Sequence, residues 1–254
     1  MCPQNYMQFL ISQEDIVNNK FTIKGPEARH LIKVLRAVPY EKIRLFDGKG
    51  KIYSGEITTI KRDVLSGKIL SKIPCNTKKF KLRLFVSLIK NERFRLLLEK
   101  VTEVGVNEII PVITSRTVFG IPKDRIDEKH SRWQRVILSA VKQCCCEKIP
   151  EILKPIAFSD IFSCIKENEI TLILYEHEEK TTVREALSMS KPESPILNLI
   201  IGPEGGFTEG EVDYAKKHGF IPVTLGNNIL RAETAAVVGC ALINYEILLQ
   251  NLRV

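Results

Sequence analysis

Apolar and polar positions follow two patterns along the chain, and the change falls near residue 76. Before it, short apolar and polar alternations predict mostly β-strands with one helix. From Phe80 onward, apolar runs of strand length alternate with stretches that repeat at helical spacing. The intervening Pro74-Cys75-Asn76 stretch contains loop-forming residues. We therefore predict two domains, residues 1–75 and residues 76–254.

The first segment contains a predicted β-hairpin. Ile43–Phe46 has the composition of a strand, Asp47-Gly48 is a typical turn dipeptide, and a second strand begins at Ile52. The later stretch DVLSGKIL continues the β pattern. Together these stretches predict a small barrel or curled sheet as the N-terminal domain.

The stretch PEARHLIKVLRAV predicts the helix of this first domain, with Pro26 in its first turn. Four apolar residues at helical spacing would form its buried face: Leu31, Val34, Leu35 and Val38. Another face would carry the basic residues Arg29, Lys33 and Arg36, with His30 alongside. Such a row suits contacts to RNA phosphates, although a charged face that meets only solvent has the same pattern.

The second segment predicts an α/β domain with a largely parallel sheet. Apolar strands are expected in KLRLFVSLI, EIIPVIT, EITLILYE, ILNLIIG and IPVTL, each followed by a helix-like stretch. One helix is expected to end at Gly105. A longer amphipathic helix carries the only tryptophan, Trp133, on its apolar side.

The stretch IGPEGGFTEGEV places a glycine-rich loop between a strand and a helix. Thr208 and Glu211 have the spacing of a capping box, and Phe207 and Val212 stand at hydrophobic-staple positions, so the helix should begin near Glu209. The loop lacks the lysine of a Walker motif and the spacing of a dinucleotide fingerprint. Loops at the carboxyl ends of parallel strands are where open α/β sheets bind ligands, although a tight turn without a ligand is equally compatible with these residues.

A second glycine loop follows in IPVTLGNNILRAETAAVVGCALINYEILL, after the next predicted strand. Two such loops at strand ends could line two sides of one pocket. Small residues make the following helix slim, which allows a close backbone approach. Arg231 and Glu233 flank the start of that helix, where unsatisfied backbone donors favour anionic groups.

Charge is unevenly distributed along the chain, whose formal net charge is +8. Residues 1–75 contain 13 Lys/Arg and 7 Asp/Glu, a net charge of +6, whereas the remaining residues contain 25 and 23, a net charge of +2. A basic first third indicates a module for an anionic partner, although many lysine-rich proteins are simply basic.

Several classes of protein are disfavoured by the sequence. The seven cysteines contain no Cys-x-x-Cys pair, and with four scattered histidines they predict no metal site and reduced thiols. We find no apolar run of about 20 residues, so no membrane partner is expected. The first residues lack the basic and apolar segments of a secretory signal, so we expect a cytoplasmic protein.

Five stretches together resemble the ribosomal RNA small-subunit methyltransferase E family of the SPOUT superfamily. They are the two glycine loops, the EARHLIKVLR stretch, LIKNERFRLLLEKVTEVGVNEIIPVIT and RWQRVILSAVKQCCCEKIPEI, and they span nearly the whole chain. The chain departs from the family pattern near Cys146, where an arginine is usual, at Asn227-Asn228, usually Pro-Arg, and at Ala232, usually threonine.

The resemblance implies an α/β fold in which a SPOUT-type trefoil-knotted parallel sheet follows a small PUA-like β-barrel domain that binds RNA. It also implies a homodimer and S-adenosylmethionine (SAM) as the cofactor. The implied reaction is methylation of uridine N3 in small-subunit (16S) ribosomal RNA, with the assembled small subunit or the naked RNA as substrate.

Site residues follow from this resemblance. The cofactor would be held by the two loops and by the end of a third strand: Tyr175, Glu176, Ile201, Gly202, Pro203, Glu204, Gly205, Gly206, Leu225, Gly226, Ile229 and Leu230. Arg231 would stabilise the negative charge that develops on the uracil oxygens, because a guanidinium stays charged and donates parallel hydrogen bonds. Alternatively, Arg231 forms only a salt bridge with Glu233 or Glu204. Either glutamate, or a water molecule, could accept the N3 proton.

Two other functions remain open at this point. One is methylation of another RNA, either a transfer RNA or a ribose 2′-hydroxyl. The other is a non-catalytic RNA-binding factor in ribosome assembly, which would not bind SAM.

Overall fold

A computed structural model describes residues 8–75, 80–189 and 194–252. The chain divides into two compact units. The first contains residues 1–77 and 141–149, and the second contains residues 78–140 and 150–254. Residues 141–149 thus group with the first unit rather than the second, and the sequence-based boundary between residues 75 and 76 stays a prediction.

One six-stranded sheet forms the first unit. Its strands are β1 (Gln8–Leu10), β2 (Ile16–Val17), β3 (Lys20–Lys24), β4 (Lys42–Phe46), β5 (Ile52–Lys61) and β6 (Val64–Ile73). They lie in the order β1-β4-β5-β6-β3-β2, and every neighbouring pair except β1 and β4 is antiparallel. The predicted hairpin is confirmed, since β4 and β5 pair on either side of a turn in which Gly48 has φ +74°.

The predicted helix over PEARHLIKVLRAV is wrong in its second half. The α-helix α1 spans only Gly25–Arg29 and continues as a π-helix over His30–Val34. Bonds from residue i to i+5, such as Leu35 N–H to the His30 carbonyl at 3.1 Å, widen the turn and shift the side chains away from α-helical spacing.

That wider turn changes which residues of the helix are buried. Leu31 is buried and Leu35 packs against the core of the unit, as predicted, but Val34 and Val38 are exposed. Arg36 follows the π-helix with φ +52° and lies outside any helix. Arg29, Lys33 and Arg36 therefore do not form the predicted i, i+4, i+7 row.

The second unit contains a parallel sheet, as predicted. Its elements in chain order are β7 (Lys81–Ser87), α2 (Asn91–Val104), β8 (Glu108–Ile113), α3 (Ile126–Cys144), β9 (Glu151–Ile152), β10 (Ile156–Ala157), α4 (Ile161–Cys164), β11 (Ile170–Leu174), α5 (Val183–Met189), β12 (Ile196–Ile201), α6 (Glu209–Lys217), β13 (Ile221–Val223) and α7 (Ala232–Leu252). The strand order is β10-β8-β7-β12-β11-β13, with β9 also paired to β8.

Local signals at the helix ends are confirmed. Helix α2 ends at Gly105, which adopts a left-handed φ of +96° and donates to the Thr102 and Val101 carbonyls. Helix α6 begins at Glu209, with the capping box of Thr208 and Glu211 formed in both directions. The expected burial of Trp133 is also confirmed, and its ring centroid lies 4.9 Å from that of Phe94.

Helix α7 is unusually apolar. Within the described residues it is the one helix long and apolar enough to cross a membrane by length and composition, over an 18-residue window with a mean hydropathy of 1.4. This corrects the expectation that no such stretch occurs. Its buried side, which includes Ala236, Cys240 and Ile243, packs in the core of the second unit with α2 and the central strands. Such packing is typical of a core helix.

Candidate functional site

A cavity of about 460 Å³ opens where three neighbouring parallel strands end. Strands β12, β11 and β13 lie side by side, and the residues after each of them line the cavity together with the start of α7. All twelve residues that sequence analysis assigned to the cofactor are among its lining residues. The structure therefore brings the two glycine loops and the third strand end to one place, and their role in binding a cofactor stays a prediction.

In the first glycine loop, Gly206 takes a conformation that other residues rarely adopt. Its φ is +68°, and its N–H donates to the Pro203 carbonyl at 3.0 Å. A Cβ atom on Gly206 would lie 2.0 Å from Oε1 of Glu176. The missing side chain thus leaves the space that the Glu176 carboxylate occupies on the cavity wall.

The residues after β8 hold this loop from outside the cavity. The Arg116 guanidinium donates to the Gly205 carbonyl at 2.9 Å and to the Phe207 carbonyl at 3.4 Å. The Ser115 backbone N–H and hydroxyl both donate to Oε1 of Glu211, whose other oxygen completes the α6 capping box. Nothing in the sequence pointed to Arg116 and Ser115, because a chain segment does not show that it will meet a loop some 90 residues away.

The second glycine loop is shaped by Thr224 and Gly226. The Thr224 hydroxyl accepts a hydrogen bond from the Gly226 N–H at 3.1 Å, and Gly226 has φ +113°. The slim helix that follows packs closely, as expected. A Cβ atom on Gly239 would lie 2.9 Å from the Leu199 side chain of β12.

Tyr175 and Glu176 form the third wall at the end of β11. Burial raises the pKa of the Tyr175 phenol above its usual value, and the nearby charges of Glu209 and Glu176 raise it further. The Tyr175 ring lies edge-on to His177 with centroids 5.2 Å apart. Tyr175 therefore presents a neutral, partly apolar ring to the cavity at physiological pH.

The two candidate carboxylates of the site meet a guanidinium that sequence analysis did not name. Nη1 of Arg93 lies 3.7 Å from Oε1 of Glu204, and Nε of Arg93 lies 3.8 Å from Oε1 of Glu233. Arg93 lines the cavity from the first turn of α2. It lies six residues after Ser87, the carboxyl end of β7, and that position was the available signal for a site residue.

Arg231 lines the same cavity just before α7, and its carbonyl accepts the Ala235 N–H in the first turn of that helix. Its side chain is exposed, and within the described residues it takes part in no ion pair. The alternative that Arg231 serves only as the salt-bridge partner of Glu204 or Glu233 is thus not what the structure shows, since Arg93 occupies that place.

The predicted RNA-binding residues lie on the surface of the first unit. Arg29, His30, Lys33 and Arg36 are all exposed, and Arg29 lies 3.8 Å from Asp63 in an exposed ion pair. Their role stays a prediction. In the part of the chain that the structure describes, no three His, Cys, Asp or Glu residues are grouped so as to hold a metal ion.

Comparison with known proteins gives consistent matches. A family model described as an RNA methyltransferase domain matches residues 76–244, and one described as an RNA methyltransferase PUA domain matches residues 23–70. Two similar proteins are named ribosomal RNA small subunit methyltransferase E. The protein from Mesomycoplasma hyopneumoniae is 33% identical over 73% of this chain and 80% of its own length. The protein from Rickettsia conorii is 30% identical over 93% of this chain and 94% of its own length.

Solved structures agree with these matches. The Neisseria gonorrhoeae ribosomal RNA small subunit methyltransferase E, bound to SAM, superposes with a TM-score of 0.83 at 29% identity, over 95% of this chain and 98% of that one. A Legionella pneumophila structure with the cofactor SAM bound gives 0.82 at 29% identity, with the same coverage.

Proposed function

Because the chain belongs to the ribosomal RNA small subunit methyltransferase E family, we propose that it transfers a methyl group from SAM to N3 of one uridine in small-subunit (16S) ribosomal RNA. One observation carries the proposal. The two glycine loops come from separate segments of the chain. They line a single cavity at the carboxyl ends of β11, β12 and β13.

The residues around this cavity fit SAM. A volume of about 460 Å³ lies within the range of roughly 300–1,000 Å³ that small-molecule sites have. Backbone groups of the two loops would hold the adenine and the carboxylate, with Tyr175 and Glu176 as the third wall. The glycine at position 206 keeps the wall thin enough for Glu176 to face the cavity. When bound, SAM supplies an electrophilic methyl group on a positively charged sulfur.

The chain's own residues would prepare the acceptor base. Uridine N3 must lose its proton before it can act as a nucleophile, and the charge then spreads to the adjacent carbonyl oxygens. We assign Arg231 to stabilise that charge, since it lines the cavity and forms no competing ion pair among the described residues. Of the two candidate proton acceptors, Glu204 is better placed, because it lines the cavity while Glu233 is buried.

The first unit would bind the RNA. Its sequence carries a net charge of +6 over residues 1–75, and the four predicted RNA-binding residues are exposed. Phosphate contacts of this kind weaken at higher salt, because the release of condensed counterions then gains less entropy. We therefore expect the affinity for small-subunit RNA to fall steeply with salt concentration, and to fall less steeply in the Lys33→Ala variant.

We also propose that the protein is a homodimer, that its second unit is knotted as in other SPOUT proteins, and that it works in the cytoplasm. Support for the dimer comes from Leu242, Tyr245 and Leu248, which are spaced three residues apart on α7 and exposed in the single chain. Light scattering should give twice the 28.9 kDa of one chain. Tyr245→Glu should give monomers, whereas Leu70→Glu in the first unit should not.

Support for the cytoplasm comes from the six described cysteines, none of which forms a disulfide.

The function can be tested on RNA from cells that lack the gene. Small ribosomal subunits from such cells are incubated with the protein and radiolabelled SAM. Primer extension should then show a new stop at a single uridine, because a methyl group on N3 blocks base pairing. Label in transfer RNA or on a ribose would show a different RNA substrate, and failure to bind SAM in calorimetry would show a non-catalytic factor.

A further inference from the structure

Arg93 is a second cation on the cavity wall, and its position in the helix is electrostatically unfavourable. It is the third residue of α2, where the helix dipole presents its positive end. A cation is disfavoured at that point unless a nearby negative group compensates. Glu204 and Glu233 supply that compensation, at 3.7 and 3.8 Å.

The two glutamates fix the Arg93 guanidinium without using its hydrogen-bond donors. Both distances are those of ion pairs and exceed hydrogen-bond length. Within the described residues, the Arg93 side chain donates no hydrogen bond, and 38% of it is exposed. All five N–H groups of the guanidinium are therefore available to a ligand in the cavity.

Glu233 supports Arg93 from inside the protein. It is 9% exposed, and its Oε2 atom is buried with no hydrogen-bond partner in the structure. A carboxylate buried in this way needs a cation beside it, and Arg93 is the cation in contact. Because Glu233 is not among the residues that line the cavity, it acts on a bound ligand through Arg93.

We propose that Arg93 is a catalytic residue of the methyl transfer, an inference that rests on the proposed function. Its guanidinium donates to one uracil oxygen as N3 gives its proton to Glu204 or water. The electron pair left on N3 forms the bond to the methyl carbon, and the carbon–sulfur bond breaks with its pair remaining on sulfur. Glu233 is a positioning residue for Arg93, whereas Glu204 both positions Arg93 and can accept the N3 proton.

Two guanidiniums suit the chemistry of this acceptor. The charge of a deprotonated uracil spreads over O2 and O4, which lie on opposite sides of N3. Arg93 at the start of α2 and Arg231 before α7 can serve one oxygen each. Arg93 is the better preorganised of the two, since it is held by two carboxylates while Arg231 is exposed and has no ion pair among the described residues.

The test compares Arg93→Met and Arg93→Lys with Arg95→Met. Arg95 lies on the same helix, half exposed, and pairs with Glu92 and Glu99 away from the cavity lining. We expect Arg93→Met to lower kcat on small ribosomal subunits by about 100-fold or more, as loss of one charge-stabilising donor does. Its affinity for SAM should not fall, because the substitution removes a cation from beside a positively charged ligand. Arg93→Lys should recover part of kcat, and Arg95→Met should match the wild type.

A merely structural Arg93 would give a different result. Arg93→Met would then weaken SAM binding and lower Tm, together with its loss of activity. Arg93→Lys would then recover no part of kcat. Either that pattern or an unchanged kcat overturns the assignment. The double variant Arg93→Met/Glu233→Gln should be no slower than Arg93→Met alone, and a further loss would show that Glu233 acts independently. Wild-type protein that transfers no methyl group refutes the proposed function itself, and this inference with it.

Discussion

The guanidinium of Arg83 donates to a carboxylate oxygen of Glu169 across 3.0 Å, although the two residues are 86 positions apart in the chain. Arg83 also donates to Glu108 at 3.1 Å, and Glu169 accepts a second hydrogen bond from Asn198 at 3.0 Å. These side chains are buried at the amino ends of the strands. The parallel sheet thus carries an ionic network at one end and the candidate site at the other.

Removing one member of that network should destabilise the second unit. Glu169→Ala removes one of the two carboxylates that pair with the buried Arg83 guanidinium, and loss of a hydrogen bond to a charged group typically costs about 1.5–3 kcal/mol. Urea denaturation should show this loss in the free energy of unfolding. Asp127→Asn breaks the exposed ion pair with Lys154 and should leave the midpoint of urea denaturation nearly unchanged. Similar midpoints for the two variants would contradict the role of the network.

The two adjacent glycines of the first loop should differ sharply in their tolerance of alanine. Gly206→Ala forces a side chain into φ +68° and against Glu176, so SAM affinity should fall about tenfold or more. Gly205→Ala meets only Arg116 carbons at 3.6 and 3.7 Å, which is ordinary contact, and should bind SAM nearly as the wild type does. Calorimetry with SAM decides the matter, and equal affinities would contradict the model of the loop.

Arg231→Ala should separate binding from turnover. The cofactor is expected to contact the backbone near Arg231 rather than its side chain, so the Kd for SAM should stay within about threefold. Methyl transfer to small subunits should fall by about 10²–10³-fold, the range for one lost charge-stabilising donor. Single-turnover measurement with saturating SAM isolates that step. Unchanged turnover would remove Arg231 from the mechanism.

Cysteines of the second unit should differ in reactivity with iodoacetamide. Burial raises the pKa of the Cys240 thiol far above its ordinary value, which leaves almost no thiolate to react. Cys164 is exposed. Mass spectrometry of the native protein should find Cys164 modified and Cys240 intact, and both modified after unfolding in urea. Early modification of Cys240 in the native protein would contradict the packing of α7.

Glu178 should contribute to stability in a pH-dependent way. The Thr181 backbone N–H, which donates to its carboxylate, lowers the pKa of Glu178 below its usual value. The contribution is therefore present above the unfolded pKa, about 4.5, and is lost as the pH falls through the folded value. Thermal melts should show Glu178→Gln less stable than wild type at pH 7, with the difference shrinking at lower pH. The exposed neighbour Glu179→Gln is the control, and a constant difference for Glu178→Gln would contradict the assignment.

Features set within a few residues were predictable from the sequence. The α6 capping box, the left-handed end of α2 at Gly105 and the hairpin turn at Gly48 all appear where the residues predicted them. The helix in the first unit was mispredicted, because apolar spacing alone does not distinguish an α-helix from an α-helix that widens into a π-helix at His30.

The sequence by itself determined the strand and helix alternation of the second unit, its two glycine loops and, through the family resemblance, the residues that gather around the cavity. Only the tertiary structure decided that Arg93 pairs with Glu204 and Glu233, that Arg116 holds the first loop, and that Glu233 is buried while Arg231 is exposed. Caps and turns depend on neighbouring residues, which the sequence displays directly. Burial and ion pairing depend on the order of the strands, and in β7-β12-β11-β13 that order brings together segments that are far apart in the chain.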